Sequence, residues 1–146
     1  MSSRERGALA ILACALSLTT ALAHQSVDDP WTRYRHAVMQ AADGHAQALE
    51  QVVSGAVGHT GQAVRHAEHL AVLARRLPAM FPEDRDYHQS DARPDIWQHW
   101  DEFTGYADDL ATASMRLSRA AGEGRQAAMQ GAYDAVEEAC RGCHER

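Results

Sequence analysis

The sequence predicts an all-α protein, an antiparallel four-helix bundle with up-down-up-down topology. Alanine is abundant and runs of β-branched residues are missing, so strand signals are almost absent. Apolar residues recur at spacings of three and four in four segments, and Gly- or Pro-bearing breaks separate these segments. Four helices of this length with short connections typically pack as a bundle.

The N-terminal segment has the composition of a secretory leader, not of a bundle helix. Arg4 and Arg6 precede an uncharged apolar run over residues 7–23 that ends on small residues. This run is shorter than the roughly 20 residues that a membrane-spanning helix needs. We therefore expect a signal peptide over residues 1–23, no membrane insertion after its cleavage, and one domain over residues 24–146.

The first helix is predicted over residues 28–54. Asp28 or Asp29 can cap its start, Pro30 suits its first turn, and Gly55 can end it. An apolar stripe marks the side that faces the core, and Met39 lies at its edge; the stripe contains Trp31, Tyr34, Val38, Ala42, Leu49 and Val53.

The second helix is predicted over residues 60–77, immediately before Pro78. Its apolar face is made of Val64, Ala67, Leu70, Ala71, Ala74 and Leu77. His66 and His69 fall on the opposite side, which we expect to face solvent. A loop with two prolines and no sustained period follows; loops of this length in a small domain are often packed or functional.

The third helix is predicted over residues 94–121, with Asp91 as a cap near its start and Pro94 in its first turn. Two glycines, at positions 122 and 124, end it. We expect the three large aromatic residues of its inner face to form core; that face contains Ile96, Trp97, Trp100, Phe103, Ala107, Leu110, Ser114 and Leu117.

The fourth helix is predicted from about Arg125 to Arg146. One face of this segment carries apolar residues first and reactive residues last, in the order Met129, Ala132, Tyr133, Val136, Cys140, Cys143 and His144. The reactive side chains are therefore expected to face the interior of the bundle.

Cys140, Cys143 and His144 form a C-x-x-C-H motif, the attachment signal of c-type haem. The two thiols of such a motif add to the two vinyl groups of one porphyrin, and the histidine binds the iron from one face. On a helix, Cys140 and His144 lie one turn apart and project the same way. The motif predicts one covalent haem c with His144 as an axial ligand.

Two other uses of the cysteine pair compete with haem attachment. A thioredoxin-like dithiol sits where a strand meets a helix, near the start of a βαβ unit, whereas this pair ends a helical chain. A zinc site requires two more ligands at a familiar spacing, and the sequence has no second close cysteine pair. A single close pair is also not a disulfide scaffold. Haem attachment is the favoured interpretation.

The charge balance restricts the partners of the protein. Without the leader the chain carries 12 basic and 19 acidic residues, a net charge of about −7. An acidic surface argues against binding to nucleic acid or anionic membranes and suits a partner with a basic surface.

Several short motifs occur in an order that resembles the cytochrome c prime family, the class II cytochromes c. They cover nearly all of the chain after the leader, and only the haem motif is specific by itself. The matching residues are Arg35 and Met39, Phe81-Pro82, Pro94-Asp95-Ile96-Trp97, Phe103, and Cys140-x-x-Cys143-His144.

The resemblance implies a bundle built around the haem and assigns two further residues. Met39 occupies the family's distal position, and a methionine there is the second iron ligand of the low-spin branch, the cytochrome c-556 type. Arg35, one turn earlier, would pair with a haem propionate. Family members usually continue past the motif with a Tyr-Arg or similar pair, whereas this chain stops at "CHER", so Arg146 could take over part of that role.

With His144 and Met39 as axial ligands, the protein would be a periplasmic monohaem c-type cytochrome that carries one electron between redox proteins and is not an enzyme. A saturated iron exchanges electrons with little rearrangement and has no open position for chemistry. The alternative is a five-coordinate cytochrome c prime that binds nitric oxide or carbon monoxide, with Met39 off the iron or readily displaced. Members often pair through their first two helices, so monomer and homodimer both remain open.

Simpler interpretations exist for the individual residues. Met39 could fill a gap in the core, as methionines on apolar stripes commonly do, and Arg35 could be a solvated surface residue. His45 lies near the same stripe as Met39 and could replace it in a bis-histidine site, or be an imidazole at the core boundary. The remaining histidines of this region could form a metal-binding strip or a solvated face; they are His59, His66 and His69.

Overall fold

The computed structural model describes residues 29–83, 87 and 89–146. In these parts the chain forms four α helices and no strand: α1 Pro30–Val53, α2 Thr60–Arg76, α3 Trp100–Gly122 and α4 Gln126–Glu145. The predicted all-α four-helix bundle is confirmed. The predicted leader and its cleavage site lie outside the described residues. Within the described ranges, none of the helices combines the length and the apolar character needed to span a bilayer.

A local network of hydrogen bonds fixes the start of α1. Of the two predicted capping residues, Asp29 accepts hydrogen bonds from both the backbone N–H and the hydroxyl of Thr32, each at 2.6 Å. The side-chain hydrogen bond from Thr32 is the main reason why the pKa of Asp29 is lowered. At the other end Gly55 adopts a φ of 80°, the left-handed conformation that commonly follows a helix.

The third helix begins later than the sequence pattern predicts. Residues Pro94–Trp97 form a separate short 3₁₀ helix, and the residue that precedes α3 is His99, which provides no side-chain cap. The prediction of Asp91 as a cap is therefore wrong. The indole of Trp97 donates a hydrogen bond to the Phe81 carbonyl at 3.1 Å and packs on Tyr87, so contacts with the preceding loop hold this turn off the helix axis.

Leucines and alanines fill the core between the helices. Leu49, Leu70 and Leu117 are fully buried, together with Met129 and Val136. A row of buried alanines on α2 allows α3 to approach closely, and the contact between α2 and α3 is the most extensive in the bundle. By contrast, α1 touches α4 only sparsely. The bundle is therefore tight on one side and open between its first and last helices.

Truncation of Leu117 tests this core. Because Leu117 is 0% exposed, Leu117→Ala should lower the free energy of unfolding by about 2–5 kcal/mol in urea denaturation. Met115 lies on the same helix and is 37% exposed, so Met115→Ala should change it by no more than about 0.5 kcal/mol. Equal effects of the two variants would contradict the assigned orientation of α3.

Candidate cofactor site

The reactive side chains at the end of α4 line one internal cavity. Cys140 and Cys143 are half-buried, His144 is exposed, and all three border a cavity of about 420 Å³. Burial is the main cause that raises the pKa of both thiols. The predicted convergence of these residues on one space is therefore present in the structure.

All four helices contribute walls to this cavity. The lining is mostly apolar, with carboxylates of Asp43, Glu50 and Glu137 at exposed positions along it. A space of this kind suits a large apolar group held by a few polar contacts. The apolar and aromatic lining includes Met39, Ala42, Ala46, Leu70, Leu73, Ala74, Leu77, Phe103, Tyr106, Ala107, Leu110, Tyr133, Val136 and Ala139.

Met39 reaches the cavity from α1, on a different helix from Cys140, Cys143 and His144. Its side chain is half-buried and packs against the core. The structure thus brings Met39 and His144 into the lining of the same cavity, as their predicted roles require. Ligation of iron by these two residues stays a prediction.

Arg35 is buried, with 4% of its surface exposed, and is not among the residues that line the cavity. One guanidinium nitrogen, Nη2, donates to the Thr32 hydroxyl at 2.8 Å, and the group lies over the rings of Phe81 and Tyr87 at 5.3 and 4.7 Å. The interpretation of Arg35 as a solvated residue is wrong. Its other terminal nitrogen, Nη1, has no partner among the described residues, so one buried donor is available to an anionic group.

The structure also corrects the interpretation of two histidines. His45 does not line the cavity, because its ring faces α2, where it contacts His66 and His69. The bis-histidine alternative for the iron is therefore wrong. The expectation that His66 faces solvent is wrong as well, since its ring is half-buried and packs on His45. His69 is exposed, as predicted, although its ring also contacts that of His45.

The aromatic residues near the start of α3 divide between the cavity and the loop. Phe103 lines the cavity and contacts Phe81 and Trp100, with ring centroids 5.1 and 5.2 Å apart. Neither Trp97 nor Trp100 reaches the cavity lining. Of the three predicted core aromatics, only Phe103 touches the candidate site directly.

Comparison with known proteins of similar sequence identifies the family of this chain. The model of the family described as Cytochrome C' matches residues 31–146. This chain belongs to the cytochrome c prime family. It is 34% identical to the cytochrome c prime of Pararhodospirillum photometricum over 118 residues, which cover 80% of this chain and 94% of that protein. It is 27% identical to the cytochrome c prime of Rhodospirillum rubrum over 136 residues, 92% of each chain.

Solved structures of cytochromes c prime have the same fold. The nitric oxide complex of a cytochrome c prime mutant from Alcaligenes xylosoxidans aligns with a TM-score of 0.70 at 25% identity, covering 79% of this chain and 90% of that one. Cytochrome c prime of Rubrivivax gelatinosus also aligns with a TM-score of 0.70, at 22% identity, over 80% of this chain and 92% of its own. The predicted family and fold are confirmed; the low-spin cytochrome c-556 type stays a prediction.

Members of the cytochrome c prime family carry a covalently bound c-type haem, and this is the cofactor of the chain. The residues present fit that group. Two thiols and an imidazole border an apolar cavity, and the unpartnered Nη1 of Arg35 is a buried cationic donor of the kind that suits a carboxylate. Among the described residues, no three or more His, Cys, Asp or Glu side chains are arranged to hold a metal ion, so the zinc interpretation of the cysteine pair finds no support.

Gly142 lies between the two cysteines and contacts Tyr106. The sequence pattern did not reveal this contact. A Cβ added at Gly142 would stand 2.6 Å from Cε1 of Tyr106, well inside van der Waals contact. The Tyr106 ring therefore packs directly on the backbone of the haem motif and also lines the cavity. Two features of the sequence could have indicated the contact: the small residue Gly142 between the cysteines, and Tyr106 one turn after Phe103.

The supporting role expected of Arg146 has a modest structural counterpart. Arg146 forms an exposed ion pair with Glu102 on α3, with Nη1 and Oε1 3.3 Å apart. An exposed pair of this kind contributes little stability. No described residue forms a hydrogen bond with the His144 ring, so the ring is held mainly by its position on α4.

We expect Gly142→Ala to destabilise the protein, because the new methyl group requires the Tyr106 ring to move. The expected loss is about 1–3 kcal/mol of unfolding free energy in urea, with altered haem absorption. Gly131 lies on the same helix, and a Cβ added there would meet no atom within 4 Å, so Gly131→Ala should be neutral or stabilise by up to about 1 kcal/mol. In a Tyr106→Ala background, Gly142→Ala should cost much less stability than in the wild type, because the ring that it would displace is absent. Additive losses of stability from the two substitutions would disprove the contact.

Proposed function

We propose that this protein is a periplasmic haem protein that binds a small neutral gas, nitric oxide or carbon monoxide, on the side of the haem opposite His144. The supporting observation is the composition of the distal wall. Of the side chains that α1 contributes to the cavity, the only nitrogen- or sulfur-containing ones are Met39 and Gln47, and neither is an imidazole. A thioether is a weak, displaceable ligand compared with an imidazole.

The comparisons with known proteins also favour gas binding over electron transfer. The nitric oxide complex of the Alcaligenes xylosoxidans mutant belongs to a protein that is 25% identical to this chain and shares its fold. Both relatives from the sequence comparison carry the name cytochrome c prime. Gas binding therefore has more support than the electron-carrying function that the sequence favoured.

Each site residue has a role in this proposal. Cys140 and Cys143 would hold the haem through thioether bonds, His144 would be the proximal ligand, Met39 would lie over the distal face, and Arg35 would neutralise a propionate. When bound, the haem supplies an iron centre that can take up a diatomic ligand or exchange one electron. The apolar walls exclude water and larger ligands from the distal side.

Tyr133 is the main hydroxyl group in the interior of this site. Its side chain is buried and lines the cavity, and burial raises its pKa to about 12, with Glu137 and Glu50 adding to the shift. The phenol is therefore neutral at physiological pH. Because its folded-state pKa exceeds the ordinary value, it contributes stability below about pH 10, which is lost as the pH rises towards 12.

The second candidate function is one-electron transfer with His144 and Met39 both bound to iron. The presence of Met39 in the cavity lining favours it, and His/Met ligation raises the reduction potential. The acidic surface would then bind redox partners with basic surfaces. Neither candidate includes turnover of a substrate.

The spectrum of the Met39→Ala variant separates the two candidates. If a gas binds to an open iron position, the wild-type protein should be high-spin in the ferric state and shift on adding carbon monoxide to the ferrous state. Met39→Ala should keep the spin state and accelerate carbon monoxide binding, because the side chain over the distal face is shorter. Absorption spectroscopy and flash photolysis measure both properties.

A matched control is Met115→Ala, since Met115 is exposed on α3 and does not line the cavity. That variant should match the wild type in spectrum and binding rate. A low-spin wild type with a weak sulfur-to-iron band, turned high-spin by Met39→Ala alone, would overturn gas binding in favour of electron transfer.

Covalent attachment is tested by Cys140→Ala combined with Cys143→Ala. The double variant should lose the mass of one haem in intact-protein mass spectrometry and release any residual haem on acid–acetone extraction, because both thioether bonds are gone. Cys14→Ala is the control, since Cys14 falls in the predicted leader and should leave the haem content unchanged. Haem that survives extraction in the double variant would rule out the assigned attachment.

A further inference from the structure

Three histidines outside the cofactor cavity meet between α1 and α2. The Nδ1 atoms of His45 and His66 lie 3.0 Å apart. The ring centroid of His45 is 5.2 Å from that of His66 and 5.3 Å from that of His69, one turn further along α2. None of the three borders the cofactor cavity, so haem binding does not explain why they converge.

The surroundings of His45 favour its neutral form. Burial lowers the pKa of His45, and the neighbouring imidazoles of His66 and His69 lower it further. No carboxylate contributes to this shift, and Glu68 on the same helix as His66 is paired with Arg65 at 2.9 Å. A neutral imidazole keeps a lone pair on one nitrogen, which is the form that binds metal ions.

We propose that His45 and His66 chelate a divalent transition metal ion between α1 and α2, with Cu²⁺ bound most tightly, and that His69 supplies a third nitrogen. Two nitrogens 3.0 Å apart, each at a metal distance of about 2.0–2.1 Å, subtend an angle of about 91–97° at the metal. That is the angle between adjacent ligands in a tetragonal copper or nickel site, and it is smaller than the tetrahedral angle that zinc prefers.

His69 must turn to complete the site. As they stand, the three imidazoles are not arranged as a ready-made three-ligand group. His69 is exposed, so its side chain is free to change rotamer towards His45. Water would occupy the remaining positions of the metal. A bound ion would tie α1 to α2 independently of the haem and would stabilise the fold by mass action.

Calorimetric titration of the haem-loaded protein with Cu²⁺ tests this site. The protein should carry His24→Ala, since removal of the leader after Ala23 would place His24 at the N-terminus, where its imidazole and the terminal amine could bind copper separately. We expect one Cu²⁺ per chain. His45→Ala and His66→Ala should each weaken binding at least about tenfold, and acidification should weaken it because protons compete for the same nitrogens.

His59→Ala is the matched control, because His59 is an exposed histidine at the start of α2 and has no contact with the cluster. It should bind Cu²⁺ like the parent protein, and the haem spectrum should be unchanged in all variants. If His45→Ala folds poorly, the result for His66→Ala decides. Cu²⁺ should raise the unfolding temperature of the parent but not of His66→Ala. No binding, or binding that His66→Ala leaves intact, would overturn the proposal.

Discussion

Close packing between α2 and α3 determines where the other two helices, α1 and α4, can lie. Buried alanines on α2 let the two helices approach, and α4 then packs along α3. With α4 held in this way, α1 is attached mainly through α2 and touches α4 only sparsely. The cavity opens in the space that this arrangement leaves, and it is bordered by Met39 from the first helix and by the haem motif from the last.

The same arrangement explains how a short motif can act together with distant residues. The last turns of α4 supply both thiols and the proximal imidazole, so the attachment chemistry is local in sequence. The distal wall comes from α1, and Tyr106 of α3 packs against the backbone of Gly142 inside the motif. A cytochrome c prime site thus combines one local element with two walls that only the tertiary fold supplies. Gas binding, as proposed, depends on the walls as much as on the motif.

The sequence predicted the features that depend on local chemistry and missed those that depend on contacts between elements. The ends of α1, α2 and α4 were predicted to within about two residues, because periodicity and capping are encoded nearby. The start of α3 was wrong because Trp97 is bound to a loop carbonyl, which no helical pattern reveals. The burial of Arg35 was not evident, since the rings of Phe81 and Tyr87 that cover it come from another segment. In the same way, the side to which the His45 ring points depends on how α2 packs against α1, which the sequence pattern does not reveal.

The carboxylates of Asp43, Glu50 and Glu137 along the cavity have a consequence for selectivity. An anion such as nitrite that approaches the cavity would experience electrostatic repulsion from these carboxylates, and salt would screen this repulsion because the carboxylates are exposed. A neutral diatomic molecule experiences none. These carboxylates would thus discriminate between ligands by their charge before any contact with iron. Raising the ionic strength should narrow the difference in association rate between charged and uncharged ligands.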